Sequence, residues 1–254
     1  MIKVAFVGDS MGLRVRPKGD GNPYPYVVET SLRQKYGAVQ VLNKHVGGSL
    51  LREHIVKNDE VIGFYPDYVV LSFNVEKYPR LLPRGFHYWL FIFSRVTFTN
   101  GNLKLNALTK AFRKFCKKIA PPLTKLFHLS SWCTPDAYEL LLENYIQRLH
   151  TETKAKCILL VSEHVTKQAE QQLPRAMQMA KTYRNIMEKV ATKTNALTID
   201  LDQILQKESK GDIPSMEREL LPDGYHLNGR LHQLVAKEIC EKIEKASPKG
   251  KTQE

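Results

Sequence analysis

Five short apolar runs rich in β-branched residues recur along the chain, at Ile2–Val7, Ala38–Leu42, Asp67–Phe73, Lys156–Ser162 and Ala196–Leu201. A strand that is apolar on both faces must be covered on both, and that is the situation of strands in a parallel sheet. Segments with helical spacing lie between most of these runs: Tyr24–Tyr36, Ser49–Lys57, Asp136–His150 and Gln171–Thr192. A last one, Asn228–Lys245, places Leu231, Leu234, Val235 and Ile239 on one face. Strand alternating with helix predicts a five-stranded parallel sheet with helices on both sides, a three-layer α/β/α sandwich.

The chain has 254 residues, of which 43% are apolar, enough for one α/β domain with a substantial core. The expected domain runs over 1–246, followed by a polar, Lys-rich tail at 247–254. The alternation is interrupted once. Between the third strand and the helix at Asp136 lie about sixty residues, too many for an ordinary loop. Lys77–Pro135 holds eleven Lys and Arg and no Asp or Glu, and the rest of the chain balances 27 basic against 26 acidic residues. The net charge of +12 therefore sits almost wholly in this segment, which also carries Trp89-Leu90-Phe91-Ile92-Phe93. It reads as a mainly helical cap inserted after strand three. Lys110, Arg113, Lys114, Lys117 and Lys118 surround Phe112 and Phe115, a pattern suited to an anionic membrane surface or an acidic polymer. The pI near 9.5 comes with no nucleic-acid-binding motif, so nucleic acid is not the expected partner.

No stretch reaches the ~20 apolar residues of a membrane span, and Val4–Val7 is too short for a signal sequence. The expectation is a cytoplasmic protein, with peripheral membrane contact open to the basic segment. Cys116, Cys133, Cys157 and Cys240 are widely spaced with no CxxC pair, so reduced packed thiols are expected and a metal site is not.

Sites in open parallel sheets form at the carboxyl ends of strands. Four features fall there. Gly8-Asp9-Ser10 follows strand one directly, where a turn into a helix projects the serine hydroxyl; in isolation Asp9 and Ser10 would simply cap that helix. Asp223-Gly224-Tyr225-His226 precedes the last helix, and its spacing lets the carboxylate reach the imidazole Nδ1–H, fixing the tautomer of a general base. Gly48, after strand two, offers a backbone N–H that a ligand can approach closely. Asn74, after strand three, offers an amide donor. Together these supply a nucleophile, a base with its orienter, and oxyanion donors.

The order of these blocks resembles that of the SGNH (GDSL) hydrolase superfamily. Phe6-Val7-Gly8-Asp9-Ser10 is similar to its first block, Gly48 to the second, Asn74 to the third, and Asp223-Gly224-Tyr225-His226-Leu227-Asn228 to the last. Ser72 and Val75 stand where the third block usually has Gly and Asp. The resemblance spans both ends of the chain and the sheet, but not 77–135. It implies a flavodoxin-like sandwich carrying a serine esterase that needs no metal or other cofactor. Ser10, His226 and Asp223 would form the triad, and the Ser10 and Gly48 amides with Asn74 the oxyanion hole. An acyl or acetyl ester, on a small molecule or a glycan, is the implied substrate. The same residues suit an O-acyltransferase, and a basic binding module that has kept the fold but not the chemistry is the alternative outside catalysis. Arg14 and His164 are further candidates for contact with substrate, the first as an anion ligand and the second at the end of strand four.

Overall fold

The computed structural model describes residues 1–80, 131–210 and 219–246. Between these it describes 84–85, 97–99, 102–104, 111, 114, 115, 119, 122, 123, 212 and 217. In chain order the elements are β1 (Ile2–Gly8), α1 (Tyr24–Tyr36), β2 (Val39–His45), α2 (Leu51–Val56), α3 (Asp59–Phe64), β3 (Tyr68–Ser72), β4 (Thr97–Thr99) and β5 (Asn102–Lys104). There follow α4 (Pro135–Thr153), β6 (Lys156–Val161), α5 (Lys167–Gln172), α6 (Ala176–Thr194), β7 (Leu197–Asp200), α7 (Leu201–Ser209) and α8 (Gly229–Ala246).

Five strands form one parallel sheet in the order β2-β1-β3-β6-β7. β1 is thus flanked on both sides, with Val4 opposite Val41 on one neighbour and Tyr68 on the other. The pleat divides each strand between two cores. Val4, Phe6, Val70, Ile158, Leu160 and Ile199 meet Tyr24, Val28 and Leu32 of α1 and Leu231, Val235, Ile239 and Ile243 of α8. Ala5, Val7, Val69, Leu71, Leu159 and Val161 meet Tyr138, Leu142, Ile146 and Leu149 of α4 and Ile186, Met187 and Val190 of α6. This is the expected three-layer sandwich. Counting only its own strands, the sheet runs 2-1-3-4-5, which puts a topological switch point between β1 and β3.

Local chemistry explains where the elements depart from expectation. The single helix expected over Gln171–Thr192 is two, because Pro174 lies between α5 and α6. Pro cannot occupy a helix interior and pushes the preceding residue out of the helical region, and Leu173 sits at φ −134°, ψ 77°. Leu201 begins a helix rather than ending a strand. The Asp200 side chain accepts from the amides of Asp202 and Gln203 and so starts α7 at once. Helix α3, absent from the sequence reading, follows α2 after a two-residue break. The expected cap at 77–135 lies outside the described residues except for its first residues, its last ones and scattered positions. These include an antiparallel pair, β4 with β5. The expected tail at 247–254 lies outside them entirely. No helix among the described residues is long and apolar enough to cross a membrane.

At the end of β1 the chain comes close to the end of β3. A Cβ on Gly8 would stand 2.1 Å from the Ser72 carbonyl oxygen and 2.6 Å from the Ser72 hydroxyl, so the two strand ends meet only because this residue is glycine. Gly8→Ala is expected to lose about 2–3 kcal/mol of stability, a fall in Tm of roughly 5–10 °C for a chain of this size. An unchanged Tm by calorimetry would show that the strand ends can part without cost.

Candidate active site

Ser10 opens a short 3₁₀ turn, Ser10–Gly12, as the chain leaves β1. His226 lies in the turn before α8, whose N-terminus is capped by Asn228 accepting from the Leu231 amide at 2.8 Å. The sheet brings these two distant segments together, with Ser10 Oγ 2.9 Å from His226 Nε2. On the far side of the ring, His226 Nδ1 is 2.7 Å from Asp223 Oδ2. The three sequence-designated residues therefore form one hydrogen-bonded line.

The acid is held by its own turn. Asp223 Oδ1 accepts from the backbone amides of Tyr225 at 3.1 Å and His226 at 2.8 Å. Gly224 makes that turn at φ +81°, a conformation that side-chain-bearing residues rarely adopt. Arg16 adds an ion pair to Oδ2, with Nε at 3.4 Å. Burial opposes charge on this carboxylate, but the ring and amide bonds from His226 outweigh it and hold the Asp223 pKa well below the usual carboxylate range. Asp223 is thus held ionised.

A cleft of about 590 Å³ opens above this line, lined by Ser10, Gly48, Asn74 and His226 together with Arg14 and His164. Among the described residues, neither the Ser10 nor the Gly48 amide has a hydrogen-bond acceptor. One Nδ2–H of Asn74 goes to Met11 Sδ at 3.4 Å, which leaves the second. Asp9 fixes this loop to the turn that carries Ser10. Its Oδ2 accepts from the Asn74 amide at 2.7 Å and the Val75 amide at 3.0 Å, and its Oδ1 from the Met11 amide at 2.9 Å.

The other two candidates are placed differently. Arg14 is exposed at the lip of the cleft, its guanidinium over Gly47. His164 lines the cleft, but its ring stands 3.1 Å from Glu217, its amide donates to Asp202 and its carbonyl accepts from Lys77 Nζ at 3.2 Å. These bonds hold it in the cleft wall. Lys77, Tyr78, Arg80 and Tyr225 also line the cleft, and no short motif marks them in the sequence.

Neither protein-family models nor curated proteins give a match to this chain. Solved structures do. A lipase/acylhydrolase from Enterococcus faecalis is 17% identical, covers 98% of this chain and 100% of its own, and superposes with a TM-score of 0.64. An acetylxylan esterase from Geobacillus stearothermophilus is 19% identical over 95% of this chain and 94% of its own, at 0.60. The acetyl xylan esterase AlAXEase is 20% identical over 95% and 100%, at 0.61. The chain has the SGNH hydrolase fold.

Within the SGNH hydrolase fold, the two departures in the third block have visible uses. Ser72, in place of the usual Gly, hydrogen-bonds through Oγ with Tyr24 at 3.0 Å and with His45 Nε2 at 3.0 Å, beneath the Ser10 turn. His45 is buried, its Nδ1 2.8 Å from Asn43 Oδ1, and burial pulls its pKa down to about 3, so it stays neutral in this network. Val75, in place of the usual Asp, contributes its backbone amide to Asp9.

One group beside the site titrates far from its ordinary range. Glu76 is 1% exposed, and its Oε1 accepts from the Leu51 amide at 2.6 Å while Oε2 is buried without a partner among the described residues. Burial, reinforced by Asp9, pushes its pKa up to about 8. Between about pH 4.5 and 8 the folded chain keeps a proton that the unfolded chain releases, so this residue lowers stability progressively as pH rises through that window. Glu76→Gln removes the titration. The variant is expected to gain on the wild type between pH 5 and 8 by on the order of 2–4 kcal/mol. Urea unfolding at a series of pH values checks this, and a pH-independent difference would place the proton elsewhere.

Proposed function

We propose that the protein is a serine hydrolase that cleaves carboxylic esters. The observation that carries this reading is the line from Ser10 Oγ through His226 to Asp223, open to the cleft at its serine end. Ser10 Oγ attacks the acyl carbon as its proton passes to His226 Nε2, and Asp223 stabilises the imidazolium. The Ser10 and Gly48 amides and the second Asn74 N–H receive the developing oxyanion, where one lost donor typically costs ~3–4 kcal/mol of barrier. His226 then returns the proton to the departing alcohol. Water, activated by the same ring, releases the acid and restores Ser10.

The acetylxylan esterases that share this fold are named for acetyl groups on a carbohydrate. An acetyl ester on a sugar is accordingly the substrate class proposed here, and a cleft of about 590 Å³ is of a size to take a small glycan unit.

A fluorophosphonate probe is expected to label the wild type at Ser10 and to leave Ser10→Ala unlabelled, with Tm retained in the variant. Ester turnover should fall roughly 10⁴-fold or more in Ser10→Ala and His226→Ala. Asp223→Ala should be milder than His226→Ala by a factor of about ten to a hundred, since the acid orients and stabilises but transfers no proton. Labelling or turnover that survives in folded Ser10→Ala would remove Ser10 as the nucleophile.

A further inference from the structure

Two guanidinium groups lie over the Trp132 ring. Arg80 stands 4.5 Å from its ring centroid and Arg84 4.7 Å. Their electrostatic situations differ. Arg84 is held by Glu53 through three hydrogen bonds, from Nε at 3.1 Å and twice from Nη2 at 2.8 Å. Arg80 has no such partner. Its Nε is buried without an acceptor, and among the described residues no carboxylate pairs with it. It rests instead on Trp132 and, at 5.9 Å, on the Tyr78 ring. Aromatic faces orient a guanidinium but do not replace hydrogen-bond acceptors, so Arg80 is preset in direction and left unsatisfied.

Arg80 belongs to the wall of the cleft that holds Ser10 and His226. Tyr78 packs edge-on against Tyr225 at 5.4 Å, and Tyr225 immediately precedes His226, so Arg80 stands on the base's side. Around the described part of the cleft, Arg14, Lys77 and Arg80 are the Lys and Arg side chains and Asp9 the one carboxylate. Asp9 already accepts three backbone amides. Lys77 is directed to the His164 carbonyl, and its charge is offset by Asp202 and Asp9. Glu76, nearby, holds its proton up to about pH 8. Among the described residues, Arg80 is therefore a half-buried cation of the cleft with no carboxylate in ion-pair contact.

We propose that Arg80 is a specificity residue that takes a carboxylate or phosphate carried by the substrate, so that the enzyme prefers anionic esters over neutral ones. This deepens, and rests on, the esterase reading above. The guanidinium held over Trp132 is a planar fork whose Nη groups match two oxygens of one anion. The matching substrates are acetylated acidic sugars, with the anion on a uronate or on a sugar phosphate.

The test compares kcat/KM, by acetate release, for O-acetylated glucose, glucuronate and glucose 6-phosphate. The wild type is expected to prefer at least one anionic ester about tenfold or more. The larger of the two ratios identifies the anion. In Arg80→Gln the anionic-to-neutral ratio should collapse to about one, and Arg80→Lys should recover part of it. A wild-type ratio near one for both anions, or a ratio that survives Arg80→Gln, would overturn the inference. The wild-type ratios and the Lys variant keep the test decisive should Arg80→Gln fail to fold. A second arm separates this inference from the esterase reading. Calorimetric titration of Ser10→Ala protein with glucuronate and with glucose 6-phosphate should show binding that weakens at least tenfold when Arg80→Gln is added. Binding without hydrolysis of any ester would sink the esterase reading and keep the anion site. Hydrolysis without anion preference, or no binding of either anion, would sink the anion site.

Discussion

Three backbone amides from two separate segments converge on the buried carboxylate of Asp9, and the geometry of the site hangs from that convergence. The Met11 amide belongs to the turn that carries Ser10, and those of Asn74 and Val75 to the loop after β3. Buried amides left without acceptors are costly, so each segment is held in place by its need for the same group. Asp9 is only 2% exposed, and burial raises its pKa despite the three amides and the nearby Lys77. A carboxylate held by three backbone amides thereby sets the distance between the serine and the asparagine.

A second buried network works from below. Tyr24 at the start of α1, His45 at the end of β2 and Ser72 at the end of β3 are mutually hydrogen-bonded at 2.9–3.0 Å. The Tyr24 amide continues it by donating to His232 Nδ1 on α8, whose Nε2 meets the Arg14 carbonyl beyond the Ser10 turn. Polar groups at the carboxyl ends of strands thus tie helices from opposite ends of the chain to one floor. Satisfied networks of this kind favour one arrangement over close alternatives, because a partial version leaves several polar atoms stranded in a low-dielectric interior.

The architecture was legible because burial on both faces leaves a direct mark on composition: β1, β3 and β6 are nearly continuous apolar runs. Breaks that depend on one residue were harder to see. Pro174 divides a helix whose apolar spacing runs on through it, and Asp200 turns a strand end into a cap. In the site, Asp223 and His226 were readable because one turn joins them, and Gly8-Asp9-Ser10 because it abuts a strand. Asp9 does cap its turn, as the plain reading of that motif has it, and it also braces a loop 65 residues away. Contacts of that second kind leave no local pattern. The Arg16–Asp223 pair, the Tyr24–His45–Ser72 network and the placement of Arg80 over Trp132 all join residues that only the finished sheet brings together.

The 216 residues separating Ser10 from His226 have a consequence for the life of the chain before it is complete. The serine is made early and the imidazole late, and the two meet only after β1 is enclosed by β2 and β3 and α8 has docked against α1. Until then the Ser10 hydroxyl lacks its His226 partner, and in the proposed mechanism a partly folded chain is without its base. In that mechanism, reactivity at Ser10 is a report on the whole sandwich: it appears when α8 is seated and disappears when that helix lifts away.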